Sequence, residues 1–358
     1  MKIKDREIGV GFPCYIIAEM SSNHAGSLDR AIEIIQEAKR SGADCIKLQT
    51  YTADTMTILS DKEYFKIKAG TWKGENLYTL YKKAQTPWEW QGRLKEEAEK
   101  IGLDFFSTPY DRTSVDFLEE LGVEFYKISS FELLDVPLIK YVASKKKPII
   151  MSTGMATFGE IEQSVKTIRD CGLEEIALLR CSSAYPAVLE DMNLRTIMHL
   201  GNAFGVPVGF SDHSIGSIAA VTAVALGAKI IEKHICLSRE IKSPDSLFSA
   251  EPLEFKQMVK DIRNVEKAVG EVSYEISELE RINKNFRKSI FIVKDIKSGE
   301  AFSKENIRVI RPGNGISPQF YQEIMGKKAV LDISSGMPLS WHHVERENNL
   351  MKEEHFDI

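Results

Sequence analysis

The chain has 358 residues, 43% of them hydrophobic and 28% charged. That composition excludes disorder, collagen and coiled coil as the main class and suits two domains or one large domain with an appendage. Lys plus Arg number 47 and Asp plus Glu 52, for a net charge of −5. No basic field is available for a nucleic-acid backbone, although a few local lysines can still bind a small anion.

The N-terminal stretch MKIKDREIGVGFPCYIIAEM carries charges before a short apolar run that Glu19 interrupts. It is neither a signal peptide nor a membrane span, and no other apolar run approaches 18 residues. The five cysteines, Cys14, Cys45, Cys171, Cys181 and Cys236, are scattered without a CxxC. This usage fits a reducing compartment, so the expected location is the cytoplasm with no membrane contact.

Eight short β-rich runs follow in order: Cys14 to Ala18, Cys45 to Leu48, Asp104 to Phe106, Glu124 to Ile128, Pro148 to Met151, Glu175 to Leu179, Val206 to Phe210 and Lys229 to Ile231. Segments of helical period separate them. In SLDRAIEIIQEAKRSG, Ala31, Ile34, Ile35 and Ala38 share one face, Ser27 is placed to cap and Gly42 to end the helix. Similar segments are WEWQGRLKEEAEKIG, SVDFLEELG, VPLIKYVASKKK, FGEIEQSVKTIRDCG, MNLRTIMHLGNAFG and SIAAVTAVALG. Eight alternations over about 240 residues are what a (β/α)8 TIM barrel requires. A doubly wound sheet would carry a Gly-rich first turn, and none follows the first run.

Between Gln49 and Trp88 lies a stretch too long for a simple loop, read as an insertion over the barrel mouth whose aromatics, from Trp72 to Tyr81, pack the insertion itself. The charged stretch ISELERINKNFRK reads as the end of a helix leading into a linker. The expected division is a barrel over 1–272, a linker over 273–287 and a small β domain over 288–350. Within the last part, Asp295-Ile296-Lys297-Ser298-Gly299 echoes Asp332-Ile333-Ser334-Ser335-Gly336. The repeat predicts a pseudo-symmetric domain, too small to bury much core by itself.

In a barrel the active site lies at the C-terminal strand ends. The residues expected there, in chain order, are Glu19 with Asn23 and His24; Lys47 and Gln49; Ser107 and Thr108; Lys127, Ser129 and Ser130; Ser152 and Thr153; Arg180, Ser182, Ser183 and Tyr185; Ser211, Asp212 and His213; and Glu232, Lys233 and His234. Polar groups at all eight ends indicate an enzyme. Lys47 and Lys127 end otherwise apolar strands and need anionic partners. Those are either a bound phosphate or carboxylate, which the convergent hydroxyls favour, or Glu19 and Glu232 as structural ion pairs. His213 and His234 end adjacent strands and can converge on a loosely held Mn2+ or Mg2+; the alternative is two hydrogen-bonded structural histidines. His342 and His343, the run Lys145-Lys146-Lys147 and the cysteines read as packing or solvated surface.

The motifs IIAEMSSNHAGS, ADCIKLQTYTAD, FFSTPYD, YKISSFE, IIMSTGMAT, SSAYPA, VGFSDHSIGS, IEKHI and VIRPGNGISP, in this order, resemble the sialic acid synthase family over nearly the whole chain, from about Ile16 to about Val344. Within it, SDKEYFKIKAGTWKGENLYTLYKKAQTPWEW and SPQFYQEIMGKKA are most similar to the pseudaminic acid branch. The resemblance implies a TIM barrel followed by an antifreeze-like (SAF) domain. It implies condensation of phosphoenolpyruvate with an amino-sugar aldehyde, 2,4-diacetamido-2,4,6-trideoxy-L-altrose, to a nonulosonic acid and phosphate, with cleavage of the C–O bond. N-acetylneuraminate and legionaminate synthesis are the neighbouring alternatives. A Schiff-base aldolase using Lys127 or Lys47, and a sugar-binding protein without catalysis, are readings of other classes.

Carried over by motif, Lys47, Thr108, Lys127, Ser130, Ser152 and Ser182 or Ser183 contact phosphoenolpyruvate. The resemblance implies that His213 and His234 are the metal ligands. Glu19 lies beside the reacting carbons, with Lys127 and Asp245 in catalytic roles and Gln49, Tyr185, Glu232 and Asp245 at the substrates. The resemblance also implies a domain-swapped homodimer in which Arg311 reaches the acylated sugar of the partner's barrel. The chain departs from the sialic acid type at Ser243-Pro244-Asp245-Ser246, where Gly-Pro-Asp is usual.

Overall fold

Eight parallel strands close into a barrel in a computed structural model that describes residues 1–346. They are β1 (Tyr15–Glu19), β2 (Cys45–Thr50), β3 (Asp104–Pro109), β4 (Tyr126–Ile128), β5 (Ile149–Ser152), β6 (Ile176–Cys181), β7 (Val208–Asp212) and β8 (Ile230–His234). Each pairs with the next, and β8 returns to β1 in a register that sets His234 opposite Glu19. The helices after the strands are α1 (Leu28–Arg40), α2 (Trp88–Lys100), α3 (Arg112–Glu120), α4 (Val136–Ser144), α5 (Phe158–Asp170), α6 (Thr196–Phe204), α7 (Ile218–Ala225) and α8 (Pro252–Val269).

Local chemistry fixes these boundaries. The Ser27 hydroxyl accepts from the Arg30 amide at 3.3 Å to start α1, whose buried face is Ala31, Ile34, Ile35 and Ala38. Gly42, at φ +91°, takes the chain off that helix in a conformation that a residue with a Cβ resists. A reciprocal Thr157–Glu160 box starts α5.

Two apolar layers hold the barrel. Outward residues such as Ile16, Leu48, Met151 and Phe210 pack under the helices. Inward residues Tyr15, Ile17, Cys45, Phe106, Phe125, Ile150, Leu179 and Ile230 fill the lower interior. Ile3 and Ile8, from an N-terminal hairpin, join that inner cluster. The lower half is therefore a packed core, and only the upper half of each inward face is free for chemistry.

The expected insertion contains two short helices, Ala53–Met56 and Leu77–Ala84, and a hairpin between them bridged at Lys66 and Asn76. The stretch from Ile276 differs from its sequence reading. The last barrel helix ends at Val269, before Gly270 at φ +51°, and Glu278–Asn283 is a separate short helix that Ser277 caps.

A second compact unit begins at Glu271. Its core gathers Ile290, Ile292, Ile296, Phe302, Ile307, Ile316, Ile324, Ile333 and Leu339 around the antiparallel pair β9 (Ser289–Ile292) and β10 (Ile307–Ile310). The internal repeat has a direct physical counterpart there. Ile296 and Ile333 exchange backbone hydrogen bonds of 2.9 Å each way. Asp332 accepts from the Ser298 amide at 2.9 Å, and Asp295 accepts from the Ser335 amide at 2.7 Å. Each copy's aspartate thus ties down the Ser-Gly turn of the other. Residues 347–350 of the expected domain lie outside the described residues.

Gly209 marks a tight point of the barrel wall: a Cβ there would meet Ile230 O at 2.3 Å and Leu179 Cδ2 at 2.6 Å. Gly209→Ala is expected to lose at least about 2 kcal/mol in urea unfolding. Gly159→Ala, in open space on the first turn of α5, is expected to be neutral or to gain up to about 1 kcal/mol.

Candidate active site

At the upper rim the inward side chains change from apolar to charged. Lys47, Glu19, Glu232 and Lys127 come from β2, β1, β8 and β4, and all four are nearly inaccessible to solvent, at 0 to 4% exposure. Lys47 Nζ lies 2.7 Å from Glu19 Oε2 and 3.4 Å from Glu232 Oε1. Lys127 Nζ lies 3.6 Å from the same Glu232 oxygen and donates to Ser152 Oγ at 2.7 Å. The lysines therefore do have carboxylate partners within the chain, as in the ion-pair alternative. The count is two cations to two anions, and Lys127, with the longest ion pair, is the least neutralised.

The hydroxyls converge around the same charges. Thr108 Oγ1 is 3.3 Å from Lys47 Nζ, and Ser211 donates to Glu232 at 3.1 Å. Ser130 accepts from the Gly154 amide at 3.0 Å. Gly154 is required by this approach, because a Cβ would fall 2.2 Å from Ser183 Oγ. Gln49 donates to Glu19 Oε1 at 3.1 Å and so fixes which carboxylate oxygen faces the lysine.

Burial sets the protonation tendencies. It raises Glu19, and Lys47 only partly opposes that rise. Glu232 stays below the ordinary carboxylate range in spite of burial, because Lys127 and Lys47 both favour its charge. Burial lowers Lys127, against the pull of Glu232. Glu19 is thus the carboxylate poised to take up a proton.

The two expected histidines stand side by side, ring centres 5.4 Å apart. His213 Nδ1 is 3.0 Å from the Ser182 carbonyl, which can only accept, so Nδ1 carries a proton and Nε2 is the nitrogen that can release one. His234 is held neutral by burial and by the neighbouring positive charges, and its Nδ1 has no partner. Glu232 Oε2 is likewise buried without a partner. Burial pushes the Cys181 thiol up, but the charge and hydrogen bond of His213 bring it down to about 7. Among the described residues no three His, Cys, Asp or Glu side chains gather for an ion. Against the effect of burial, Cys181, the Ser182 carbonyl and Glu232 raise His213, so it would give up its Nε2 proton on binding a metal. With the neutral His234 ring and an orphaned carboxylate oxygen it still fits a divalent cation that completes its shell with substrate or water oxygens.

Lys47, Gln49, Lys127, Glu232, Cys181, His213 and His234 line one cavity of about 390 Å³, together with Ser130, Ser152, Tyr185 and Asp245, while Glu19 and Thr108 do not line it and reach it through Lys47. Asp245 is fixed by the Ser21 and Ser22 hydroxyls at 2.5 and 2.9 Å. The Tyr185 ring lies 4.4 Å from that of His213. Ser182 contributes its carbonyl, and Ser183 lies behind Gly154. Arg311 belongs to the second unit, exposed at the end of β10 and followed by a cis bond to Pro312.

Several rim residues from the sequence face elsewhere. Arg180 points outward and binds the Met192 and Asp191 carbonyls. His24 is buried against Thr86 and Trp90, its pKa lowered to about 4 by burial. Asp212 and Lys233 face away from the cavity and form a buried pair of 2.7 Å, 0 and 2% exposed. Lys233 also donates to Ser214 O, and Asp212 accepts from the Ser214 amide and hydroxyl. This closed knot lies immediately before His213 and His234 in the two strands and fixes the backbone that presents them.

Other lining residues were not expected. Glu132, bonded to Ser129, has a carboxyl that burial raises. Its position at the end of YKISSFE, just past a strand end, is the signal that could have found it. Trp72 and Tyr81 line the cavity instead of only packing the insertion.

Residues 34–274 match the NeuB family, and residues 287–345 match the SAF domain. The chain belongs to the NeuB family. It is 46% identical to the pseudaminic acid synthase of Campylobacter jejuni subsp. jejuni, over 90% of this chain and 94% of that one. It is 44% identical to the pseudaminic acid synthase of Helicobacter pylori, over 93% and 98%. Among solved structures it is similar to the N-acetylneuraminic acid synthetase of Leptospira borgpetersenii in complex with citrate, with a TM-score of 0.71 and 32% identity over 79% of this chain and 94% of that one.

Removing Asp212 would leave the Lys233 ammonium buried with the Ser214 carbonyl as its remaining hydrogen-bond partner among the described residues. Asp212→Ala is expected to cost about 3–5 kcal/mol in chemical denaturation, and the double variant with Lys233→Met should recover part of that loss. A single-variant loss below about 1 kcal/mol would show that the knot does not hold the rim.

Proposed function

We propose that the chain condenses phosphoenolpyruvate with 2,4-diacetamido-2,4,6-trideoxy-L-altrose to give pseudaminic acid and phosphate. The observation that carries this reading is one cavity lined by a lysine–hydroxyl cradle, Glu232 and two adjacent imidazoles, with Glu19 paired to the Lys47 that lines it, in a chain 46% identical to a pseudaminic acid synthase.

In this reading Lys47 and Lys127, with Thr108, Ser130, Ser152 and Ser182 or Ser183, hold the carboxylate and phosphate of phosphoenolpyruvate. The incoming anion takes over ion-pair partners that Glu19 and Glu232 now supply. A divalent Mn2+ or Mg2+ held by His213 and His234 supplies Lewis-acid polarisation of the aldehyde oxygen when bound. Gln49, Tyr185, Glu232 and Asp245 orient the sugar so that carbon 3 of phosphoenolpyruvate meets the aldehyde carbon. The new C–C bond leaves cationic character at carbon 2. Glu19, fixed by Gln49 through Oε1, balances that charge and accepts a proton at Oε2 from the water that adds to carbon 2. The tetrahedral adduct then loses phosphate by cleavage of its C–O bond, the carbon 2 hydroxyl proton leaving with the phosphate as the carbonyl forms and the proton taken up by Glu19 returning to the alkoxide made from the aldehyde.

The second unit serves the reaction in a domain-swapped homodimer, where Arg311 of one chain hydrogen-bonds an acetamido carbonyl at the other's cavity. Its support is the exposed guanidinium beside a rigid Pro-Gly-Asn-Gly turn, a fork that lysine would match poorly. No helix among the described residues is long and apolar enough to cross a membrane. The five free cysteines fit a reducing compartment, the cytoplasm.

A panel of amino-sugar aldehydes with phosphoenolpyruvate tests the reaction. Phosphate release should be fastest with the diacetamido trideoxy sugar, and the product should have the mass of a nonulosonic acid. Release with no aldehyde in the panel would overturn the reading. Chelation should abolish turnover and Mn2+ or Mg2+ restore it, whereas full activity in a thoroughly chelated sample would remove the metal. Mixing an Arg311→Ala chain with a Lys127→Ala chain should restore part of the activity. No recovery in proven heterodimers would place Arg311 at its own barrel or away from substrate.

A further inference from the structure

The cavity has two chemically opposite sides. Its floor is charged and hydroxylated, built from the strand ends. Its outer wall comes from the insertion, whose lining residues include Met56, Ile67, Trp72, Leu77 and Tyr81. The insertion itself is rich in charge, with Asp61, Lys62, Glu63, Lys66, Lys68, Lys73 and Glu75 around the hairpin. None of these lines the cavity. Of Met56, Ile67, Trp72, Leu77 and Tyr81, only Tyr81 brings a hydroxyl; beside Ile67, Trp72 and Leu77 the loop offers a sugar hydroxyl no partner, because the Trp72 indole N–H is already given to Pro244 O.

The wall is also fixed in place. Ile67 sits in the hairpin, donating from its amide to Glu75 O at 2.9 Å and accepting from the Gly74 amide at 2.8 Å. Trp72, near the hairpin tip, donates from Nε1 to Pro244 O at 2.9 Å, and its ring lies 5.4 Å from that of Tyr185. The Thr71 hydroxyl bonds the Tyr185 carbonyl. The hairpin therefore spans the mouth and is tied to the loops after β6 and β8. Leu77 opens the following helix, which Asn76 caps through the Tyr78 amide at 2.9 Å.

We infer that Ile67, Trp72 and Leu77 are specificity-determining residues that receive the methyl-bearing side of the sugar, its deoxygenated end and an acyl methyl, and disfavour a sugar with hydroxyls there. This rests on the amino-sugar aldehyde reading above. A hydroxyl placed against this wall loses its water without gaining a partner, whereas a methyl gains contact. Apolar pockets discriminate by about 10- to 200-fold per such group, enough to rank related aldehydes without excluding any.

The test compares kcat/KM for 2,4-diacetamido-2,4,6-trideoxy-L-altrose with that for N-acetylmannosamine, which keeps its hydroxymethyl end, in wild type, Ile67→Asn and Leu77→Asn. The wild type should favour the trideoxy sugar by at least about tenfold. Each variant should lower that ratio by about tenfold, mainly through the trideoxy sugar, with the KM for phosphoenolpyruvate unchanged. Tyr64→Asn, at a position in the same insertion 88% exposed to solvent, should keep the wild-type ratio. An unchanged ratio in folded Ile67→Asn and Leu77→Asn, checked by thermal melting, would overturn the inference. Leu77→Asn lies outside the hairpin, so misfolding of the Ile67 variant leaves the test standing. Failure of the underlying reading looks different: wild type would then release no phosphate with either sugar.

Discussion

Four charges buried at one end of an apolar barrel, Lys47, Lys127, Glu19 and Glu232, set the terms for everything built around them. Taking one such ion out of water costs several kcal/mol, and mutual attraction offsets this only when the partners are close and the remaining polar atoms are satisfied. The barrel meets those conditions unevenly. Lys47 and Glu19 are in contact at 2.7 Å, but Lys127 reaches Glu232 only at 3.6 Å, and Glu232 Oε2 has no partner. Such a cluster is stable enough to fold and still has interaction to offer. An anion arriving beside Lys127, and a cation beside Glu232 and His234, would each complete what the chain leaves incomplete.

The rest of the structure keeps that cluster dry and aimed. The lower interior is packed solid by Phe106, Phe125, Ile150 and Leu179, so the charged layer rests on an incompressible floor. Behind the rim, the Asp212–Lys233–Ser214 knot holds the segment from which His213 projects and the strand that presents His234. In front, the insertion hairpin crosses the mouth, tied to Pro244 and Tyr185. Strand alternation divides the labour. On β8, Glu232 and His234 face the cavity while Lys233 faces the helices. One rim carries reacting groups on its inside and positioning groups on its outside.

Much of this was legible in the sequence because strand and helix alternate with clear periods. The eight runs, the Ser27 and Gly42 boundaries of α1 and the Asp295/Asp332 repeat all have structural counterparts, the repeat as two turns tied down reciprocally. What was not legible was direction. A polar residue at a strand end points in or out according to a register of one residue, so Arg180, Asp212 and Lys233 were grouped with cavity residues that they stand back to back with. His24 looked equally chemical and is neutral packing against Trp90. The insertion hid its role for another reason. Leu77, Leu80, Tyr81 and Ala84 follow a helical period, but Ile67 and Trp72 follow none, and only the hairpin fold brings those two to one side. The lysines' carboxylate partners lie far away in sequence, so spacing could name them only as alternatives to a bound anion.

If the buried lysines serve phosphoenolpyruvate as proposed, and not only a structural salt-bridge cluster, removing one must weaken binding of that anion. Titration calorimetry of phosphoenolpyruvate against wild type and folded Lys127→Met measures this most directly, without sugar or turnover. Lys127 has the weakest internal partner, so its removal should leave a folded barrel whose affinity for phosphoenolpyruvate falls by at least about 30-fold, the loss expected when one member of a desolvated charge pair is removed. An unchanged Kd in the folded variant would mean that the cluster serves the fold alone and that the anion binds elsewhere.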